Sequence, residues 1–205
     1  MKLYYAPGAC SLSPHIALLE AGLPYELVKV DLRAKKLESG ADYLKINPKG
    51  QVPALVLDSG ELVTEGPVIV QMIADRAAGK NLAPGRDTAE RYKLLEWLNY
   101  ITTELHKNLG PMFSPVLTED AKAFFKDRAM GKFKYLETQL AGRDYLMGKQ
   151  FTVADGYLFT MLMWAVDRMN FDLSGLPNLM AYKARVAARP KVQEALTKEG
   201  LLKAA

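Results

Sequence analysis

The chain has one cysteine, Cys10, in the segment Pro7-Gly8-Ala9-Cys10-Ser11, with Tyr4, Tyr5 and Ser13 close by. A thiol becomes a strong nucleophile once it ionises. With no second cysteine it can form no disulfide inside the chain and no multi-cysteine zinc or iron–sulfur site. Two histidines, His15 and His106, are too few for an imidazole cluster, so no metal is expected. Taken alone, such a cysteine reads equally well as a small buried hydrophobe. Its neighbourhood separates the two readings. Residues 2–6 (KLYYA) are β-prone, and Leu12, Ile16, Leu19 and Leu23 recur at helical spacing. Pro14 fits the first turn of that helix and Gly22 its end. Cys10 therefore falls where a strand gives way to a helix. Unpaired N–H groups and the positive end of the helix dipole are expected there to ease its ionisation. The hydroxyls of Tyr4, Tyr5, Ser11 and Ser13 are rivals at the same turn.

Three further groups of residues could bind a ligand. Val52-Pro53 follows the turn 47–50 and precedes a strand; a cis bond there would present the backbone of Val52 to an extended peptide, whereas a trans proline would only start an edge strand. Glu65-Gly66 opens a helix, where a carboxylate and free N–H groups suit the ammonium and carboxylate of an amino acid, or simply cap the helix. Asn99, Thr103 and His106 are spaced i, i+4, i+7 and share one helical face, away from Leu94, Leu98, Ile101 and Leu105. Such a polar stripe can equally be plain solvated surface.

The elements that must position these residues fall into two sets. Residues 25–32 alternate as a strand, 37–46 read as a weak helix, and 54–57 with 62–64 form a hairpin about 58–61. A helix over 66–77 follows. The order β-α-β-α-β-β-α predicts a thioredoxin-like α/β domain over residues 1–78. Residues 79–86 read as a linker. The remainder, 87–205, shows only helical periodicity and is expected to be all-α. Helices are predicted over 90–109 and 121–140, and Thr152-Val153-Ala154-Asp155 is a capping box opening an apolar helix that runs to about 169. That helix is apolar all round and is expected at the centre of the helical domain. Pro177 and Pro190 open two shorter helices.

Composition sets the outer bounds. The apolar fraction is 49% and the charged fraction 24%, ordinary for a soluble globular chain. The net charge is +4, and the first eighty residues are balanced, so the excess lies beyond them with no basic run. No nucleic-acid partner is expected. The longest uncharged stretch, 3–19, contains two prolines and a histidine, which argues against a membrane span or a signal core. The cytoplasm is the expected compartment.

The segments YYAPGACS, NPKGQVPAL, TEGPVIVQMIAD, WLNYITTELHK and the FTVAD box resemble, in order and over essentially the whole chain, a glutathione transferase. Cys10 together with Glu104-Leu105-His106-Lys107 is similar to the bacterial beta class in particular. The resemblance implies glutathione as co-substrate, a hydrophobic electrophile, and a homodimer. It implies catalytic roles for Cys10 and His106, with His106 a polar or cationic partner of the thiolate. Val52 would offer its backbone to the cysteinyl part, with Pro53 cis. Glu65 and Gly66 would hold the γ-glutamyl end and Lys35 the glycyl carboxylate. Asn99, Thr103, Glu104 and Lys107 would complete the site, some from a neighbouring subunit. Met112, Phe113, Tyr157, Met161, Trp164 and Met169 form a candidate electrophile wall or, for most of them, core. Two positions depart from the family: Gly66 stands where a hydroxyl residue is common, and Thr103 where serine is. Other classes use an early tyrosine or serine, which keeps Tyr5 and Ser11 in view. Two other readings remain: a glutathione-dependent reductase or dehalogenase with Cys10 as nucleophile, and a non-enzymatic module that binds hydrophobic ligands or proteins.

Overall fold

The computed structural model describes residues 1–202. They divide into two compact units, one of Met1–Ala83 together with the stretch beginning at Arg189, the other Pro84–Ala188.

The first unit is built on a five-stranded mixed sheet in the order β3-β2-β1-β4-β5. Its strands are β1 (Lys2–Tyr5), β2 (Glu26–Asp31), β3 (Lys36–Leu37), β4 (Ala54–Val56) and β5 (Leu62–Thr64). β1 runs parallel to β2, with Leu3 opposite Leu27, and antiparallel to β4, with Leu3 opposite Leu55. Two helices pack on one another, α1 (Leu12–Ala21) and α2 (Gly66–Arg76). A parallel β1–β2 pair requires a crossover, and α1 supplies it. Gly22 closes α1 in the left-handed conformation (φ 67°), its N–H reaching the carbonyls of Leu18 and Leu19.

The weak helix predicted over 37–46 is absent. Residues 36–37 instead pair antiparallel with β2, Val30 opposite Leu37, and only Tyr43–Lys45 coil, as a short 3-10 turn. Positive φ at Lys35 (56°) turns the chain just before the stretch, and positive φ at Gly40 (82°) interrupts any helix within it. The turn is capped by Asp42, which accepts the Leu44 N–H at 2.9 Å. Tyr43, without exposed surface, anchors the turn in the core beside Tyr4, Val30, Val52 and Ala54.

By its contacts the C-terminal helix groups with the first unit. This helix, α8 (Pro190–Lys198), packs on α1. Arg189 makes a two-pronged ion pair with Glu20 at 2.7 and 2.9 Å, a geometry that only a guanidinium provides.

The second unit is helical throughout its regular structure. α3 (Ala89–Tyr100) continues into a π-helical segment, Ile101–His106, and a short α4 (Lys107–Leu109). α5 spans Glu119–Leu140, α6 Val153–Met163 and α7 Pro177–Ala187, and α6 likewise ends in a π-helical segment, Trp164–Arg168. Every residue of α6 is buried, as its uniform apolarity requires. Its start is fixed by Asp155, whose carboxylate accepts the Thr152 and Leu146 N–H groups and the hydroxyls of Thr152 and Tyr182, all at 2.8–3.0 Å. Among the described residues no helix is long and apolar enough to cross a membrane, and no group of three or more histidine, cysteine, aspartate or glutamate residues could hold a metal.

Candidate functional site

Cys10 lies in the loop between β1 and α1, and its thiol donates to the Val52 carbonyl at 3.2 Å. The loop is pinned from inside by Ser11, which has no exposed surface; its hydroxyl accepts the Ala6 N–H at 3.2 Å and donates to the Ala6 carbonyl at 3.3 Å. Ser11 is thereby committed to the loop. Tyr5 is nearly buried, with its phenol pushed above the usual range chiefly by burial and then by Glu199.

The thiol behaves opposite to the expectation drawn from its place before a helix. Burial pushes Cys10 up to about 11, outweighing the backbone N–H groups of Cys10 and Ser11, and the Glu65 carboxylate pushes the same way. Desolvation wins because it penalises the whole charge of the thiolate, whereas the N–H groups offer only partial charges. At neutral pH Cys10 is thus a protonated donor, as its bond to the Val52 carbonyl requires.

Val52 precedes Pro53 through a cis bond. Its position is fixed one residue earlier: the Gln51 carbonyl accepts both the Tyr43 hydroxyl (2.7 Å) and the Asn47 side-chain amide (2.8 Å). Neither residue was singled out from the sequence; an asparagine in a turn is common, and only the fold brings Tyr43 to it. Lys35 crosses the turn to donate to the Gly50 carbonyl at 2.7 Å. Gly50 has φ 63°, and a Cβ there would approach Leu44 to 3.0 Å, so both conformation and space call for glycine.

Glu65 is the residue before α2 and also has positive φ, 68°. Its carbonyl takes the Val68 and Ile69 N–H groups at 3.0 Å. Its carboxylate pairs with Lys49 at 2.6 Å, and Lys49 also donates to the Thr64 hydroxyl at 3.0 Å. Gly66 leaves open space: a Cβ there would meet only the Pro53 ring, at 3.8 Å.

A second support reaches the Cys10 loop from the C-terminal segment. One oxygen of Glu199 accepts the Gly8 N–H at 2.8 Å, and the other lies 2.8 Å from Nδ1 of His15. His15 Nε2 meets the Tyr25 hydroxyl at 3.0 Å. The side chains of His15 and Glu199 have no exposed surface. The sequence gives no hint of this pairing, because 184 residues separate the partners.

In the second unit, the predicted polar face of α3 does not persist through His106. Asn99 and Thr103 are exposed, whereas His106 is half-buried in an aromatic cluster. Its Nδ1 lies 2.6 Å from the Tyr157 hydroxyl, and the ring meets Trp164 edge-on at 5.0 Å. Phe113 also meets Trp164 edge-on, at 4.9 Å. The cause is the π-helical segment, which changes the angular spacing assumed for a uniform α-helix. The Thr103 hydroxyl donates back to the Asn99 carbonyl at 3.1 Å. Glu104 pairs with Lys132 of α5 at 2.7 Å, and Lys107 is exposed. Of the residues proposed for a substrate wall, Tyr157, Met161 and Trp164 are buried and belong to the core, whereas Phe113 is exposed.

His106 is not the cation that the sequence allowed. Burial, helped by Lys107, pushes it down to about 4. Between pH 4 and the ordinary value near 6.5, the unfolded chain therefore holds a proton that the folded one does not. Stability is expected to fall as pH drops through this window, by about 2 kcal/mol at pH 5 relative to pH 7 for this group. Urea denaturation at the two pH values checks it; His106→Gln is expected to lose that share of the pH dependence.

Residues 8–76 match the N-terminal domain, and residues 103–199 the C-terminal domain, of glutathione S-transferase. The chain is 48% identical over 201 residues to the glutathione S-transferase GstA of Escherichia coli O157:H7, covering 98% of this chain and all of that one. A sphingomonad glutathione S-transferase solved in complex with glutathione is 46% identical, with a TM-score of 0.94. The bacterial beta-class glutathione S-transferase of Sphingomonas chungbukensis is also 46% identical, with a TM-score of 0.95. Each of these two covers 98% of this chain and is itself covered in full. The chain belongs to the glutathione S-transferase family.

Proposed function

We propose that this protein is a glutathione transferase that joins the sulfur of glutathione to hydrophobic electrophiles. The observation that carries the reading is the Cys10 thiol on the Val52 carbonyl, with the Glu65 carboxylate in the same unit. In this reading the cysteinyl N–H of glutathione takes the Val52 carbonyl. The Cys10 S–H, displaced from that acceptor, turns to the glutathione sulfur. Glutathione gives its thiol proton to solvent, and the Cys10 S–H stabilises the resulting thiolate by donating to it. The sulfur lone pair then forms the C–S bond, and the leaving group departs with the electrons of the bond that breaks. Glu65 and the Gly66 N–H receive the γ-glutamyl end, and Lys35 the glycyl carboxylate. His106, neutral and hydrogen-bonded to Tyr157, acts as a polar contact beside the exposed ring of Phe113, which packs on the buried Trp164 and suits an apolar electrophile. Asn99, Thr103, Glu104 and Lys107 are proposed to complete glutathione binding, in a cytoplasmic homodimer in which a partner subunit supplies some of them.

Two Cys10 variants test this. Cys10→Ser keeps a donor and is expected to retain conjugation of an aryl halide within several-fold. Cys10→Ala removes a hydrogen bond to a developing thiolate and is expected to lose about 10- to 100-fold in kcat/KM. Oxidised glutathione is expected to add about 305 Da to the wild type alone, as a mixed disulfide. Unchanged conjugation in Cys10→Ala would remove Cys10 from the mechanism.

A further inference from the structure

The Lys49–Glu65 ion pair has a bearing on how the γ-glutamyl end is read. Lys49 approaches the Glu65 carboxylate to 2.6 Å and is held to the same spot by the Thr64 hydroxyl at 3.0 Å. Both charged side chains keep more than half of their surface exposed, so an incoming ligand can reach either. A γ-glutamyl group ends in an ammonium and a carboxylate on one carbon. Its ammonium can share Glu65, but its carboxylate then needs cationic or N–H partners close at hand. The backbone supplies little. Pro67 has no N–H, and the N–H groups of Val68 and Ile69 are spent on the Glu65 carbonyl, which leaves only that of Gly66. Gly66 itself offers no side chain. The Lys49 ammonium, already anchored beside Glu65, is the group in reach with the right charge.

We infer that Lys49 is a ligand-binding residue that pairs with the α-carboxylate of the γ-glutamyl group, so that the Lys49–Glu65 pair recognises an amino-acid zwitterion as a unit. This rests on the glutathione reading above and adds a determinant to it. One ion pair in the free protein becomes an alternating set of four charges in the complex. Each charge then has opposite neighbours, and none is stripped of a partner. Neither half of the zwitterion alone completes the set.

Binding of glutathione and two analogues to the wild type, Lys49→Met and Lys49→Arg at low ionic strength tests the inference. One analogue lacks the α-carboxylate (4-aminobutanoyl-Cys-Gly) and the other lacks the α-ammonium (glutaryl-Cys-Gly). Lys49→Met is expected to weaken glutathione and the glutaryl analogue about 2- to 5-fold, with Lys49→Arg restoring most of it. The analogue without the carboxylate is expected to bind Lys49→Met at least as tightly as the wild type, because Glu65 has lost a competing cation. Equal or tighter glutathione binding by Lys49→Met would make Lys49 a mere occupant of the site and overturn the inference while leaving the glutathione reading intact. Equal weakening of all three ligands would also overturn it, by assigning Lys49 a structural role. A wild type that binds none of the three would overturn the glutathione reading, and the inference with it.

Discussion

Glu199→Ala is expected to destabilise the protein by about 3–5 kcal/mol, which for a chain of this size lowers Tm by about 10 °C. The carboxylate has no exposed surface and serves two partners at once, the Gly8 N–H and His15. Its removal takes this acceptor from the half-buried Gly8 N–H and from the fully buried His15 ring, and an unmade hydrogen bond at a buried group carries that group's full desolvation cost. Glu199→Gln is expected to cost much less. The amide oxygen can accept from Gly8, and the amide NH2 can donate to Nδ1 if the ring adopts the tautomer that donates from Nε2 to Tyr25. The ordering Ala well below Gln, read from urea denaturation, checks the assignment. Because Gly8 lies two residues before Cys10, the alanine variant is also expected to expose the thiol.

The second large effect concerns that thiol. In the free wild type, Cys10 is expected to react with iodoacetamide about 30-fold more slowly at pH 7.5 than a free thiol does. A thiol with a pKa of about 11 has roughly 300-fold less thiolate at that pH than one near 8.5, and the greater intrinsic nucleophilicity of a more basic thiolate returns about tenfold. The rate is expected to climb with pH beyond 9 instead of levelling off there. The same displacement affects folding. Between the ordinary thiol value and about 11 the folded protein holds a proton that the unfolded chain releases, so this group's contribution to stability declines as pH rises through that range. A rate plateau below pH 9, measured by mass spectrometry, would show that the thiol is ionised by its helix and not suppressed by burial.

That reversal marks where sequence reasoning stops. The strand-to-helix position of Cys10 was legible from KLYYA and the leucine spacing that follows it. What overrides the helix end is the desolvation of the thiol, which the fold brings against the Val52 carbonyl, a tertiary effect that local spacing does not encode. Residues 37–46 show the same limit. Leu37, Leu44 and Ile46 imitate a helical pattern, but Gly40 and the unforeseen positive φ of Lys35 turn the chain into a short strand and a 3-10 turn. That turn places Tyr43 against Gln51. His106 was legible as a functional candidate but not as a neutral one, because its aromatic partners Tyr157 and Trp164 come from a helix some fifty residues on. The strongly periodic elements α1, α2 and α5, and α6 together with its π-helical end, emerged close to their expected bounds, since a long apolar pattern leaves few alternatives. Glu199 lay beyond any local pattern, and His15 within α1 was indistinguishable from an ordinary buried histidine.

The most direct test is a crystal structure of the protein with glutathione bound. The cysteinyl N–H is expected on the Val52 carbonyl, the glutathione sulfur within hydrogen-bonding reach of Cys10 Sγ, and the γ-glutamyl ammonium on Glu65. A complex in which Cys10 still donates to Val52 while glutathione lies elsewhere would contradict this reading.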